Sequence, residues 1–235
     1  MECVEDGGGG GFASAEFAGE VEGVGDSEAG EVRETEQVGG FILAGGESSR
    51  MGRDKALLEL EGVALIVRTA RLVESAARRC AVVGDSVRLE GLELEVIEDD
   101  LPGAGPLGGI ATALGASEAE WNLVVACDLP YLTREWLEFL IGHATRSDAD
   151  AVLPMNERGA EPLCAMYHKR AESAIRAALD RGVRKVTDGL ADVRIEFIEP
   201  PQWKGFDSEG LLFKNMNSPA DYEEAKLRLE GRLKR

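Results

Sequence analysis

What this chain of 235 residues has little of narrows its chemistry. It has two histidines, His143 and His168, and neither stands near a carboxylate or cysteine at the spacing of a catalytic triad or a metal site. Its four cysteines, Cys3, Cys80, Cys127 and Cys164, form no CxxC pair and no Cys and His set that would make a zinc site, so they read as buried thiols and not as a disulfide frame. Basic residues are outnumbered 26 to 44, giving a formal net charge of -18, and such a surface repels the phosphate backbone of nucleic acid. No stretch approaches the ~20 apolar residues of a membrane span. The acidic start is the reverse of a signal peptide's basic opening, so the expected setting is soluble and cytoplasmic. No repeat occurs within the chain.

The length suits one well-buried domain. The acidity is concentrated at the start, where Met1 to Gly40 carries eleven Asp or Glu against Arg33 alone. That segment holds the glycine run Gly7 to Gly11, few apolar residues and no period, so it buries too little surface to offset its ordering entropy. Residues 1–37 are expected to be disordered, and 38–235 to form the folded domain.

Within the domain, strand-like and helix-like segments alternate. Val38 to Ala44, Cys80 to Val83, Leu94 to Ile97, Trp121 to Cys127, Ala151 to Pro154, Leu163 to Tyr167 and Val193 to Ile198 are short β-rich runs. Between them, Ala64 to Arg79, Leu107 to Ala116, Thr133 to Ala144 and Ala171 to Asp180 carry helical spacing, and Ser218 with Pro219 opens a last helix. Glu199 to Leu211 reads as an irregular loop. Alternation with fully apolar strands predicts a three-layer α/β/α, Rossmann-like, mostly parallel sheet. In such a sheet ligands bind beyond the carboxyl ends of the strands, where the segments after Ala44, Ile97 and Cys127 converge.

The first of those segments, FILAGGESSRMGRDK from Phe41 to Lys55, has the makings of a phosphate cradle. Gly45 and Gly46 remove the Cβ atoms that would hold a ligand off the backbone. Successive N–H groups in such a turn form an anion-binding concavity, and Arg50, Arg53 and Lys55 can add positive charge, which points to a nucleoside triphosphate tail. It is not a Walker loop, since Gly46 and Gly52 are too far apart and Lys55 is followed by Ala56, nor does it hold GxGxxG. Asp128 ends the apolar run NLVVAC and is presented at a strand tip. There it either holds Mg²⁺, which takes one or two carboxylates plus substrate phosphates, or caps the helix near Thr133. Asp99 and Asp100 precede a Gly and Pro turn. They either accept from a nucleoside's donors or form a solvated acidic turn. Asn217 and Ser218 make good sense as the start of the last helix.

The run LAGGESSRMGRDK resembles the signature LAGG-x-S-x-R-M-G-x-DK of the molybdenum cofactor guanylyltransferases. CDLP, GPLGG and NMNSP match three further motifs of that family in the same order, the last implying that the amides of Asn215 and Asn217 face the site, so the resemblance spans Val38 to Leu229. It implies a nucleotidyltransferase that moves GMP from GTP to the molybdopterin form of the molybdenum cofactor, releasing pyrophosphate. The implied roles are N–H groups of Leu43, Ala44, Gly45 and Gly46 on the triphosphate, Arg50 and Lys55 on the leaving group, Mg²⁺ on Asp128, and Asp99 on the guanosine. The implied partners are GTP and molybdopterin, with transient contact to molybdoenzymes or their chaperones. At the end of the second strand, where some members place an asparagine against the base, this chain has Gly84 and Asp85. LAGG favours guanine, because cytidine-using relatives tend to read LAAG. A CTP-dependent or other-acceptor enzyme of the same fold, and a non-catalytic nucleotide-binding regulator, are the alternatives.

Overall fold

A computed structural model describes residues 38–45, 54–77 and 79–233. The acidic segment 1–37, Gly46, Arg50 and Arg53 lie outside the described residues. The domain opens with β1 (Val38–Leu43) and, after a 3₁₀ turn at Lys55–Leu57, a two-stranded hairpin of β2 (Glu59–Leu60) and β3 (Val63–Ala64). Next come α1 (Leu65–Ala77), β4 (Ala81–Gly84), β5 (Val96–Glu98), α2 (Pro106–Ala116), β6 (Trp121–Ala126) and α3 (Arg134–Ala144). The second half holds β7 (Ala151–Asn156), β8 (Gly159–Ala160), β9 (Cys164–His168), α4 (Glu172–Asp180) and α5 (Val186–Gly189). It closes with β10 (Ile195–Ile198), α6 (Pro200–Trp203) and α7 (Pro219–Leu233).

The main sheet runs β10-β7-β9-β6-β1-β4-β5, with β8 paired to β7. The pairs β1 with β4, β1 with β6, β4 with β5 and β10 with β7 are parallel, and β9 runs antiparallel to both β6 and β7. Side chains along each strand alternate between two cores, as the two-residue period requires. Ile42 joins Val82, Leu123, Val125 and Val152 under α1 and α3, while Phe41 and Leu43 join Ala81, Val83, Val124 and Leu153 under α2, α4 and α5. Apolar residues on both faces of β1, β4 and β6 are therefore what a sheet covered by helices on both sides demands, and the expected three-layer architecture is present. The close seating of α1 on β1 needs a glycine: a Cβ on Gly40 would stand 2.4 Å from the Arg79 carbonyl oxygen and 2.5 Å from Val73 Cγ1.

Since β1, β4, β5, β6 and β7 all point the same way, the chain leaves them at one edge of the sheet. That edge carries the candidate site.

Two segments differ from the sequence reading. Glu199 to Leu211 is not an irregular loop: it holds α6 and a 3₁₀ turn at Lys204–Phe206. Pro200 is preset for a first helical position, and the Glu199 N–H donates to Gln202 Oε1 at 2.9 Å. Trp203 is buried there, donating from Nε1 to the Met155 carbonyl at 2.8 Å and meeting Phe213 edge-on at 4.9 Å. The β2–β3 hairpin was also not anticipated. Its two-residue turn, Glu61 (φ 55°) and Gly62 (φ 75°), takes the left-handed conformation such hairpins favour. Among the described residues no helix is long and apolar enough to cross a membrane.

Candidate active site

Three tips of the sheet edge carry the chemistry. At the first, β1 ends at Leu43, which is still inside the ladder opposite Val83 and Ala126. The Ala44 N–H donates to the Val83 carbonyl at 3.0 Å, so it extends the ladder. The expectation that the Ala44 N–H meets a triphosphate is thereby corrected, because parallel pairing with β4 runs one residue past the strand. Gly45 is the first exposed residue, and no described atom lies within 4 Å of where its Cβ would stand.

Lys55 re-enters the site on its short 3₁₀ turn, which Asp54 caps by accepting the Ala56 N–H at 3.0 Å. Lys55 Nζ donates to Asn217 Oδ1 at 2.7 Å and stands 3.8 Å from Asp128 Oδ2. The two side chains of the ion pair are 18% and 24% exposed. Asp128 follows β6 directly, and its backbone carbonyl accepts the Met216 N–H at 2.9 Å. Residues from three remote parts of the chain therefore meet around one ammonium group. Asp128 does not cap α3; Thr133 does, accepting the Trp136 N–H at 3.3 Å. Burial pushes the Asp128 carboxyl above the usual range, against the opposing pull of Lys55.

Asn217 and Ser218 divide the two roles open to them. Ser218 and Asp221 satisfy each other at the start of α7, with the Asp221 N–H donating to Ser218 Oγ at 3.2 Å and the Asn217 and Ser218 N–H groups to Asp221 Oδ2 at 3.0 and 2.8 Å. This leaves the Asn217 side chain to face Lys55. Asn215 is exposed.

Asp99 stands at the end of β5, two strands out from β1, a separation of about 10 Å by strand spacing. Its Oδ1 accepts from the Leu101 N–H at 3.0 Å and the Thr112 hydroxyl at 3.1 Å. It shares the edge with Lys55 and Asp128 but does not belong to their cluster. Asp100 is turned away from that cluster to Arg176 at 3.1 Å. Asp85 Oδ1 accepts the Val87 and Arg88 N–H groups at 2.9 and 3.2 Å, fixing the turn after β4.

Two further polar residues escaped the sequence reading. Arg88, in that turn, bonds Asp54 through two nitrogens and the Ala44 carbonyl through a third. Glu161, just before β9, accepts from Asn156 Nδ2; burial pushes its carboxyl up, and Asp128 adds to the rise. Neither sits in a recognisable motif. Beside the end of β7 opens a cavity of about 440 Å³, lined by Asn156, Arg158, Trp203, Lys204, Phe213 and Lys214 among others.

The histidines have structural partners: His143 Nε2 lies 2.7 Å from Glu196, and His168 Nδ1 accepts the Arg170 N–H at 3.2 Å. Cys80, Cys127 and Cys164 are free thiols, each pushed up to about 12 by burial. Thiols held so high are poor nucleophiles at neutral pH. Cys3 lies outside the described residues.

The family profile described as the MobA-like NTP transferase domain matches residues 40–193, which takes in most of β1 with Lys55, Asp99 and Asp128. The chain belongs to the MobA-like NTP transferase family. Named relatives agree. The "Probable molybdenum cofactor guanylyltransferase" of Bacillus cereus is 31% identical over 199 residues, covering 82% of this chain and 98% of that protein. The protein of the same name from Pelotomaculum thermopropionicum is 33% identical over 197 residues, covering 83% and 95%. Among solved structures, molybdopterin-guanine dinucleotide biosynthesis protein A from Archaeoglobus fulgidus superposes with a TM-score of 0.71 at 28% identity, covering 82% of this chain and 99% of that one. A nucleotidyl transferase from Methanothermobacter thermautotrophicus shares the fold, with a TM-score of 0.65 at 20% identity and coverage of 83% and 99%. This MobA-like transferase is thus a nucleotidyltransferase of the molybdenum cofactor guanylyltransferase family.

Proposed function

We propose that the enzyme transfers GMP from GTP to molybdopterin, forming the guanine dinucleotide cofactor and pyrophosphate, in the cytoplasm. A phosphate oxygen of the acceptor bonds to the α-phosphorus of GTP as the bond from that phosphorus to the pyrophosphate oxygen breaks. The nucleophile is already an anion, so no general base is needed. The meeting of Lys55 with Asp128 and Asn217 at the sheet edge is the observation that carries the reading.

In this reading Lys55, with Arg50, neutralises charge gathering on the departing pyrophosphate, an electrostatic role that needs fixed donors. Asn217 holds the Lys55 ammonium in place. Backbone N–H groups from Gly45 and Gly46 cradle the triphosphate, Leu43 and Ala44 anchor the strand from which that turn springs, and Asp99 receives the guanosine end. The separation of about 10 Å between β1 and β5 suits a nucleotide lying across the strand tips. The acceptor would approach from the β7 side, where the neighbouring cavity offers cationic and aromatic walls to an anionic pterin.

The donor set fits Mg²⁺. Asp128 is a partly buried carboxylate facing one ammonium. Among the described residues no group of three or more His, Cys, Asp or Glu could hold a metal, so substrate phosphate oxygens would have to complete the ion's shell. Asp128 would hold the ion, which when bound offsets the charge of the triphosphate. The guanine assignment is supported by Gly45 and by the names of the relatives.

Incubation with Mg²⁺, molybdopterin and each nucleoside triphosphate in turn, followed by pyrophosphate release, tests the reading. Release is expected with GTP. Release with CTP alone overturns the guanine assignment, release with a different phosphorylated acceptor overturns the molybdopterin assignment, and nucleotide binding without release with any acceptor points to a regulator.

A further inference from the structure

The turn after β4 carries a guanidinium that no motif of the site includes. Arg88 Nη1 donates to the Ala44 carbonyl at 2.6 Å, while Nε and Nη2 engage both carboxylate oxygens of Asp54. Ala44 is where β1 gives way to the exposed glycine turn, and Asp54 caps the turn that bears Lys55. One side chain thus ties the Ala44 backbone carbonyl to the side-chain carboxylate that caps the Lys55 turn. Arg88 is itself held. Asp85 fixes its N–H, and the neighbouring Ser86 N–H donates to Glu98 Oε1 of β5 at 3.0 Å. The guanidinium's support therefore reaches across β4 and β5 to the side of the sheet that carries Asp99.

Three bonds in one plane, two to a carboxylate and one to a carbonyl, call for the forked geometry of arginine; a lysine ammonium cannot reproduce them. The pair with Asp54 also cancels most of the charge Arg88 could offer a phosphate. Its usefulness is accordingly geometric. The Arg88 and Asp54 side chains are only 26% and 22% exposed, and the guanidinium holds the Asp54 carboxyl below the usual range.

We propose that Arg88 is a positioning residue for polyphosphate: by bridging Ala44 to Asp54 it sets Lys55 at its working distance from the triphosphate. This rests on the reading of Gly45 and Lys55 as the triphosphate site. It predicts that losing the bridge harms binding of every polyphosphate equally, and that it does so through Lys55.

The test uses the full-length protein with Arg88→Lys, Asp54→Asn, Lys55→Ala and the Arg88→Lys/Lys55→Ala pair. Affinities for Mg-GTP, Mg-CTP and magnesium pyrophosphate are measured by calorimetry, and stability by urea unfolding. Arg88→Lys is expected to weaken Mg-GTP and magnesium pyrophosphate by a common factor of at least about tenfold, since small misplacements of a charged group are costly. Asp54→Asn is expected to act in the same direction, and serves alone if Arg88→Lys fails to fold. In the pair, Lys55→Ala is expected to add much less than it does to the wild type, because both changes remove the same contact.

Affinities within twofold of wild type in both Arg88→Lys and Asp54→Asn would overturn the proposal. So would full multiplication of the Arg88 and Lys55 effects, the outcome expected of a residue that merely stabilises the fold. The guanine reading is judged separately, by whether the wild type prefers Mg-GTP to Mg-CTP, while the pyrophosphate arm reads the bridge regardless of the base.

Discussion

Removing the charge of Asp128 should destroy turnover without weakening the fold. At the 3.8 Å separation of Lys55 Nζ and Asp128 Oδ2, the gross attraction is about 4 kcal/mol for an effective dielectric near 20. Against it stands the loss of hydration, and burial is the larger influence on Asp128, since its carboxyl sits above the usual range despite Lys55. The pair therefore contributes little net stability, and Asp128→Asn is expected to be neutral or to stabilise by up to about 1 kcal/mol. Lys55→Met is different, because it strands a partly buried carboxylate at a cost of about 1–3 kcal/mol. The double substitution should return close to wild type, giving a coupling of about the same size. Urea unfolding of the metal-free protein at neutral pH measures all four corners of this cycle, while pyrophosphate release should fall by at least about 10²-fold in each variant. The pH dependence has a definite sign. With its folded pKa raised, Asp128 contributes stability that is full below the ordinary Asp value and lost as pH rises through the folded one. The wild type should therefore gain on Asp128→Asn as the pH is lowered through that window. Destabilisation of Asp128→Asn by more than about 1 kcal/mol, or strictly additive losses in the double substitution, would refute the reasoning.

Gly45→Ala should fold with a stability within about 0.5 kcal/mol of wild type, because its Cβ meets no described atom. The same methyl should lower the ratio of GTP to CTP use in a competition assay; an unchanged ratio would separate Gly45 from base choice. Asn217→Ala releases one anchor of Lys55 while Ser218 and Asp221 still begin α7, so the helix should survive by circular dichroism and kcat should fall about tenfold or more. Deletion of residues 1–36 should leave pyrophosphate release close to that of the full chain, and a collapse in rate would assign the acidic segment a function.

The layers were legible because the burial is simple. β1 and β4 are apolar on both faces, as is β6 apart from the buried Asn122, and a sheet sandwiched between helices is what consumes such strands. Asp128 was legible for a related reason: an abrupt polar residue after an apolar run marks a strand tip, and parallel strands bring their tips to one edge. Lys55 was legible from the glycine and basic pattern of the loop after β1. What escaped was whatever depended on two distant pieces of chain. Arg88 lies 34 and 44 residues from its partners, in a turn whose composition is ordinary. Asn217 was ambiguous because its neighbours carry a complete helix-start motif, which explains the local sequence without the side chain that faces Lys55. By contrast, α6 had a local signal that was overlooked, Pro200 followed by a tryptophan one turn on, since a buried Trp203 is hard to place in an exposed loop.

The contrast separates two kinds of site residue. Lys55 and Asp128 are presented by elements whose own residues dictate their shape, so each can be found from its immediate surroundings. Asn217 bonds Lys55 and Arg88 bonds the Asp54 carboxylate beside it, each from an element held by other side chains, Arg88 from a turn fixed by Asp85 and Asn217 from a helix start fixed by Ser218 and Asp221. Their side chains are constrained by the site and hardly at all by the local backbone. Substitutions at Arg88 and Asn217 should therefore separate activity from stability more cleanly than substitutions in the buried strands of the sheet.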